Sequence, residues 1–253
     1  MEAKKGDLSA AEAAEYNGIL DRIGVAGKSA RRLTASALAA AADQGMSTMA
    51  MTSFYLTQHQ VPQNQTWNCG AAAAAQVIKS WYYDLGLLTT DSALDGHSLS
   101  QAWLGRPEYT NANASHSTDW NDHDMRRALN NWLFGSDPNF YAQREPTSVA
   151  DLEDYVTYDL YPNEWMLASD TIERKNNASL HYNHHPLDRD IYHWTAIRGY
   201  YSSGSGFAFE DPAANTTVLS SDWNDVAPYF NMTSTKTYNL MKNNGIDARG
   251  IVW

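Results

Sequence analysis

The chain has 253 residues, of which 43% are hydrophobic and 19% are charged, and this composition is typical of a folded globular protein. Its formal net charge of −11 excludes the basic surface that binds nucleic acid, so we expect no nucleic-acid partner. The single cysteine, Cys69, excludes an internal disulfide and a zinc site made of cysteines.

The first 50 residues differ in charge from the rest of the chain. They contain six basic and six acidic residues, so the whole excess of negative charge lies after them. The capping-box spacing of Ser9 and Glu12 predicts a helix there. We expect residues 1–52 to form a helical appendage or an inhibitory prosegment, and residues 53–253 to form the main domain. An ordinary N-terminal helical hairpin is the alternative.

No stretch of the sequence reaches the roughly 18 apolar residues that a membrane span needs, so we predict no membrane span. The first five residues, Met1 to Lys5, also lack the apolar run of a signal peptide. Lysine is scarce while asparagine, serine, threonine and tyrosine are abundant, as in many exported bacterial proteins. We therefore expect a secreted protein whose signal peptide has been removed, with a cytoplasmic protein as the alternative.

Helical patterns dominate the first part of the main domain, and alternating patterns dominate the second. Periodicity and end signals predict helices at residues 69–85, 119–133 and 148–160. Alternation predicts strands at residues 54–56, 165–168, 192–201, 207–210, 238–240 and 250–253. A run of helices followed by a run of strands indicates an α+β fold.

The most informative segment runs from Gln63 to Gly70 and is followed by five alanines. It puts Cys69, the only thiol, where a loop becomes a helix. Unpaired backbone amides and the positive end of the helix dipole favour an anion at that position, so they stabilise the thiolate form of the cysteine. The pattern predicts a nucleophilic cysteine, and a buried, inert cysteine is the alternative.

A thiolate nucleophile needs a base and groups that stabilise an oxyanion. Among the eight histidines His193 has the best context, because it begins an apolar strand. A predicted hairpin brings Asp211 either directly opposite His193 or diagonal to it on the same face, where it would orient the imidazole. Gln63, six residues before Cys69, is the predicted oxyanion donor together with the Cys69 amide. Gln65 is the substitute if the loop register differs.

These residues resemble the signature of the papain-like cysteine peptidases of the bacteriocin-processing, double-glycine-leader type, and in particular their secreted, stand-alone bacterial relatives. The similarity extends over roughly residues 54–253 and rests on four elements in order, which are Gln63, Cys69–Gly70, His193 and Asp211–Pro212. It implies a papain-like fold, in which a helical part carries the cysteine and packs on an antiparallel sheet that carries the histidine and the aspartate. It also implies cleavage of a peptide bond through a thioester acyl-enzyme.

The sequence departs from the family at Ala71, where the family usually has proline. That change affects how the helix starts more than it affects the chemistry, since proline there only fixes the first turn. We expect Trp194, Gln65 and Gly70 to contact a peptide or protein substrate beside the thiol. We expect no cofactor, and a monomer is favoured.

Three functions stay open on the sequence. The first is a cysteine peptidase, and the second is an acyltransferase of the transglutaminase type, which passes the acyl group to an amine. The third is a non-catalytic peptide-binding module on the same fold. The complete set of cysteine, histidine, aspartate and glutamine argues against the third, because a protein without catalysis is free to lose any of them.

A cluster of three histidines, His181, His184 and His185, has the composition of a zinc site. The spacing of His181 and His184 brings two imidazoles near each other. The loop contains Pro186 and offers no fixed scaffold, so we predict no metal there, and the sequence assigns the cluster no role.

Overall fold

The computed structural model describes residues 51–135, 140–161, 163–242 and 248–253. Its helices are α1 (Cys69–Tyr83), α2 (Gln101–Leu104), α3 (Ala112–Ser115), α4 (Asp124–Phe134), α5 (Val149–Leu160) and α6 (Ser234–Lys242). Its strands are β1 (Phe54–Tyr55), β2 (Gln143–Arg144), β3 (Leu167–Glu173), β4 (Ile191–Tyr201), β5 (Gly206–Glu210), β6 (Tyr229–Thr233) and β7 (Ile251–Val252). The predicted α+β class is confirmed. The predicted appendage, residues 1–52, lies outside the described residues except for its last two.

The strands form one antiparallel sheet in the order β2-β7-β3-β4-β5-β6. β1 pairs with β4 on the same side as β3 but beyond the last β3 pair, so that Tyr55 lies opposite Gly199. β3 is buried at every position, and its buried residues include Asp170 and Glu173. Buried carboxyl groups need partners inside the protein, and both find them next to the candidate site.

Helix α1 carries the cysteine at its first residue and is buried along most of its length. Its alanines let the helix approach β4 closely, and Val77, Ile78 and Trp81 then fill the core between the helix and its neighbours. The Trp81 indole donates a 2.6 Å hydrogen bond to the Tyr141 hydroxyl, so this large aromatic is paired as well as buried. None of the helices in the described part of the chain combines the length and the apolar character that a membrane span requires.

The hairpin of β4 and β5 contains a β-bulge that decides where Asp211 lies. The register shifts by one residue at Arg198, after which Ala196 pairs with Glu210. Continued along β4, this register puts Asp211 diagonal to His193 on the same face, which is the second of the two predicted arrangements. Without the extra residue Asp211 would lie opposite Ala196, and its side chain would point to the other face.

The strand predicted at residues 238–240 is wrong, because these residues lie in α6. Buried positions in α6 fall at Ser234, Thr237, Leu240 and Met241, which is the spacing of one face of a helix. Three residues are too few to distinguish this spacing from the alternation of a strand.

The helix predicted from residue 119 begins later, at Asp124. The Asp119 carboxylate accepts hydrogen bonds from the backbone amides of Asn121 and Asp122, at 2.7 and 3.3 Å. Such a side chain offers the backbone a turn in place of a helix, so the first helical turn is delayed.

Candidate active site

Cys69 is the first residue of α1 and is partly exposed. The residue before it, Asn68, makes no side-chain hydrogen bond to the helix start, so the first amides of α1 keep their unpaired N–H groups near the thiol. Gly70 is required by close packing, since a Cβ at this position would lie 2.1 Å from Thr118 Oγ1. The helix start is therefore pressed against the loop that contains Thr118.

His193 lies near the start of β4 and Asp211 lies just after β5, and both side chains are buried. His193 Nε2 is 2.8 Å from Asp211 Oδ1. The aspartate is held in turn, because its amide donates to the Pro228 carbonyl at 3.0 Å and its Oδ1 accepts from the Ala213 amide at 2.8 Å. The structure thus brings the predicted base and its orienting acid together.

His193 and Asp211 shift each other's pKa in opposite directions. Burial by itself lowers the pKa of His193, but the charge and the hydrogen bond of Asp211 outweigh it and hold that pKa well above its usual value. Burial by itself raises the pKa of Asp211, and the charges and hydrogen bonds of His193 and His185 reverse this and hold it well below its usual value. An imidazolium beside an ionised carboxylate is the favoured state.

Cys69 belongs to the same group, because hydrogen bonding and charge from its thiol also raise the pKa of His193. Nε2 of His193 already faces Asp211. Nδ1 is therefore the ring nitrogen that remains for the thiol. The structure brings together three of the predicted catalytic side chains, which come from a helix start, a strand and the loop that follows the next strand.

The fourth predicted residue, Gln63, is buried and fixed by its main chain. Its amide donates to the Pro212 carbonyl at 2.8 Å, and its carbonyl accepts from Thr216 Oγ1 at 2.6 Å. Its side-chain Nε2 donates to the Gln65 carbonyl at 2.9 Å, which uses one of the two N–H groups of the amide. The side chain of Gln65, the predicted substitute, is exposed.

A cavity of about 500 Å³ opens beside Cys69. Four indoles, from Trp67, Trp120, Trp194 and Trp223, lie on its walls. Trp194, predicted to contact substrate, is held there by a 2.8 Å hydrogen bond from its indole to the Thr118 carbonyl. Gln65 is not among the lining residues, and Gly70 is buried beneath Thr118.

The cavity also presents charged groups on its walls. Asp170 of β3 is buried and pairs with Arg249, whose Nε lies 3.1 Å from Asp170 Oδ2. Burial holds the pKa of Asp170 well above its usual value, although Arg249 and His193 act in the opposite direction. Asp119 lies close enough to raise that pKa further by charge. The cavity therefore combines aromatic walls with a paired, buried carboxyl group.

The sequence assigned no role to His185, whose Nε2 lies 2.9 Å from Asp211 Oδ2 in the structure. The expectation that Pro186 leaves this loop without a fixed scaffold is wrong, because both His181 and His185 are buried and hydrogen-bonded. His184, the third member of the cluster, is exposed. The predicted strand stopped at residue 168, before Glu173, so the sequence did not indicate that this acid is buried and needs a cationic partner.

In the described part of the chain, one group of side chains has the composition of a metal site. The potential ligand atoms of His185, His193 and Asp211 lie within 4.8 Å of one another. Both Nε2 atoms face the same carboxylate at 2.8 and 2.9 Å, which are hydrogen-bond distances. Two ligands of a tetrahedral zinc, each about 2.0–2.2 Å from the metal, would lie about 3.3 Å apart. The arrangement is that of hydrogen bonds.

Neither a scan against protein-family models nor a search of curated proteins finds a match to this chain.

Proposed function

We propose that this protein is a cysteine peptidase with a papain-like fold, which hydrolyses a peptide bond through a thioester acyl-enzyme. One observation carries the proposal, namely that His193 Nε2 faces Asp211 Oδ1 at 2.8 Å while the Cys69 thiol lies close enough to raise the pKa of the same histidine. A nucleophile, a base and an orienting acid in this order are the arrangement that nucleophilic acyl transfer needs.

In the first step the Cys69 thiolate attacks the carbonyl carbon of the scissile bond. A carbon–sulfur bond forms and the carbonyl π electrons move to the oxygen, which becomes an oxyanion. The tetrahedral intermediate then collapses, the carbon–nitrogen bond breaks, and the His193 imidazolium gives its Nδ1 proton to the leaving amine. The product of this step is a thioester on Cys69.

In the second step water attacks the thioester, and His193, now neutral, takes a proton from that water at Nδ1. The carbon–sulfur bond breaks and releases the acid product, and the Cys69 thiolate and the His193 imidazolium are restored. Asp211 keeps Nε2 of the ring protonated through both steps, because an ionised carboxylate at 2.8 Å accepts that hydrogen bond throughout.

The oxyanion is assigned to two donors. One is the backbone amide of Cys69, at the start of α1, and the other is the remaining side-chain N–H of Gln63. Gln63 is fixed to the loop that carries Asp211 through the Pro212 carbonyl. That bond supports the proposal, because it links the donor to the acid of the triad.

The coarse architecture also agrees with the proposal. The cysteine begins helix α1, and α1 packs against β4, which carries the histidine in an antiparallel sheet. The aspartate follows β5, the neighbour of β4. In a papain-like fold the nucleophile and the base lie on these two kinds of element.

The experiment is digestion of a mixture of synthetic peptides by the full chain in H₂¹⁸O, followed by mass spectrometry. Hydrolysis predicts new C-termini that carry ¹⁸O. The matched variants are C69A, expected to lose about 10³-fold or more of the rate, and H97A, a histidine stacked on Trp103 that does not line the cavity, expected to keep it. Cleavage that survives C69A would contradict the proposal.

A parallel reaction with an added primary amine separates hydrolysis from acyl transfer. Amine adducts that form at the expense of ¹⁸O-labelled acids would show that the same triad serves a transferase. Intact peptides that bind without reacting would favour the binding module. Either result contradicts the peptidase proposal.

A further inference from the structure

The carboxylate that orients His193 is shared by a second histidine. His185 Nε2 lies 2.9 Å from Asp211 Oδ2, whereas His193 Nε2 lies 2.8 Å from Oδ1. All three side chains are buried. The two rings lie 5.2 Å apart between centroids, at an interplanar angle of 74°. Each oxygen of Asp211 is therefore fixed by its own imidazole.

The other nitrogen of His185 faces a second carboxylate. His185 Nδ1 lies 2.7 Å from Glu173 Oε1, and both side chains are fully buried. Each nitrogen of this imidazole has a carboxylate oxygen at hydrogen-bond distance. The ring donates to both oxygens only when both nitrogens carry a proton. With Asp211 and Glu173 ionised, His185 is an imidazolium.

Several groups keep the Glu173 carboxyl ionised. Its Oε2 accepts from the Tyr182 amide at 2.7 Å and lies 3.2 Å from His181 Nδ1. Lys236, on the helix α6 that packs against the same strand, interacts with it by charge. Burial by itself raises the pKa of Glu173, but its histidine partners outweigh this and lower it to about 2.

We propose that His185 is a buried imidazolium that positions Asp211 and sets the basicity of His193, with Glu173 as its counter-ion. The inference rests on the proposed function, because positioning Asp211 matters only if His193 serves Cys69. His185 binds Oδ2 and so keeps Oδ1 aimed at His193. Its positive charge acts on the same carboxylate, and it disfavours a second positive charge on the neighbouring ring.

The groups around His185 come from each element packed against it. Asp211 follows β5, Glu173 ends β3 and His193 lies on β4. Burial by itself lowers the pKa of His185, and the charges and hydrogen bonds of Asp211 and Glu173 outweigh this and raise it. The rings of Tyr182 and Trp223 also lie near His185, at 5.2 and 4.7 Å from its ring between centroids.

The experiment is a pH titration of the full chain by NMR after labelling of the histidine rings with ¹⁵N. The ring nitrogen shifts distinguish a neutral imidazole from an imidazolium. We expect His185 to carry two ring protons at pH 7.5. A His185 ring with a single proton at pH 7.5 overturns the proposal.

The variant H185Q retains an N–H donor for Asp211 but removes the charge. We expect it to move the titration midpoint of His193 upward by about one pH unit, since the two rings no longer repel. The matched control is H184Q, expected to leave His193 unchanged. An unmoved His193 in folded H185Q also overturns the proposal. A purely structural His185 would change stability but not this midpoint.

A second variant covers the case in which H185Q does not fold. E173Q removes the counter-ion but keeps an acceptor oxygen at Nδ1, so it is expected to lower the pH at which His185 loses a proton. No change in the His185 titration in E173Q contradicts the counter-ion role. Alkylation of Cys69 is measured on the same samples. If the thiol is unreactive while His185 carries two ring protons, the result contradicts the proposed peptidase activity but not the proposed role of His185.

Discussion

The backbone amide of Gln63 donates a 2.8 Å hydrogen bond to the carbonyl of Pro212. This bond joins the loop that leads to Cys69 with the loop that follows Asp211. Thr216 strengthens the connection by donating from its hydroxyl to the Gln63 carbonyl at 2.6 Å. The nucleophile and the acid are therefore positioned by two loops that hold each other, in addition to the helix and the sheet from which they extend.

The variant D211N is expected to lower the rate of peptide cleavage by about 10²-fold or more. The asparagine keeps an oxygen that can accept from His193 Nε2, but the charge that raises the pKa of His193 is lost. Initial rates with a peptide that the wild-type protein cleaves measure the effect. D225N, at an exposed aspartate, is the control. Equal rates for D211N and wild type would show that Asp211 does not act on the base.

The lowered pKa of Glu173 predicts that the protein loses stability in acid. Its pKa is about 2 in the folded protein against an ordinary value of 4.5, because its histidine partners outweigh the effect of burial. The unfolded chain therefore takes up a proton between pH 4.5 and pH 2 that the folded protein does not. The stabilisation by Glu173, on the order of a few kcal/mol, is present above pH 4.5 and is lost as the pH falls to 2.

Urea unfolding of wild type and E173Q across this pH range measures that contribution. The free energy of unfolding of E173Q should depend less steeply on pH between 4.5 and 2. E108Q, at a carboxylate with a half-exposed side chain, should follow the wild-type curve. Parallel curves for wild type and E173Q would contradict the ionised state of Glu173.

The stabilisation by Glu210 depends on pH in the opposite direction to that of Glu173. Burial raises its pKa to about 7, although the His59 amide donates to its Oε1 at 2.8 Å. The folded protein keeps a proton on Glu210 that the unfolded chain has lost, so the stabilisation of the neutral form is lost as the pH rises from 4.5 to 7. E210Q matches the neutral form and is expected to be more stable than wild type at pH 8, by an amount on the order of a few kcal/mol.

Thermal unfolding of wild type and E210Q at pH 5 and pH 8 checks this expectation. The difference in melting temperature should favour E210Q more at pH 8 than at pH 5. A difference that is independent of pH would mean that Glu210 titrates near its ordinary value when the protein is folded.

Gly70 and Thr118 predict a steric coupling at the start of α1. In a helix an alanine is ordinarily about 1 kcal/mol more favourable than a glycine. A Cβ at Gly70, however, would lie 2.1 to 2.9 Å from three side-chain atoms of Thr118. G70A is therefore expected to destabilise the protein by about 1–3 kcal/mol, as overpacking does.

The double variant G70A/T118G removes the atoms that clash. We expect it to be more stable than the sum of the two single changes predicts, with a coupling of about 1 kcal/mol or more in a double-mutant cycle. Urea unfolding of the four proteins gives this number. Additive effects would show that the helix start is not pressed against Thr118.

The sequence was sufficient to predict the parts of the site that depend on local patterns. The run of alanines after Cys69 defined a helix start, and alternation around His193 defined a strand. The even spacing to Asp211 put both side chains on one face, although it did not reveal the bulge at Arg198 that makes this register possible. A bulge depends on how two strands pair, and neither strand shows it alone.

The contacts of the buried acids in β3 could not be predicted from the sequence, for a different reason. The predicted strand ended at residue 168, because Asp170 and Glu173 interrupt its apolar pattern. These acids are buried within β3 and paired with Arg249 and His185, which are distant in the sequence. A charge inside a strand cannot be recognised as buried until its partner is known. The same dependence on tertiary contacts hid the role of the histidine cluster.

Alkylation of Cys69 by iodoacetamide measures whether His193 activates the thiol. We predict that the wild-type thiol is alkylated faster than the thiol of H193A at about pH 7, because the protonated His193 stabilises the thiolate. The control variant H97A should be alkylated at the wild-type rate. Equal alkylation rates for wild type and H193A would show that His193 does not activate Cys69.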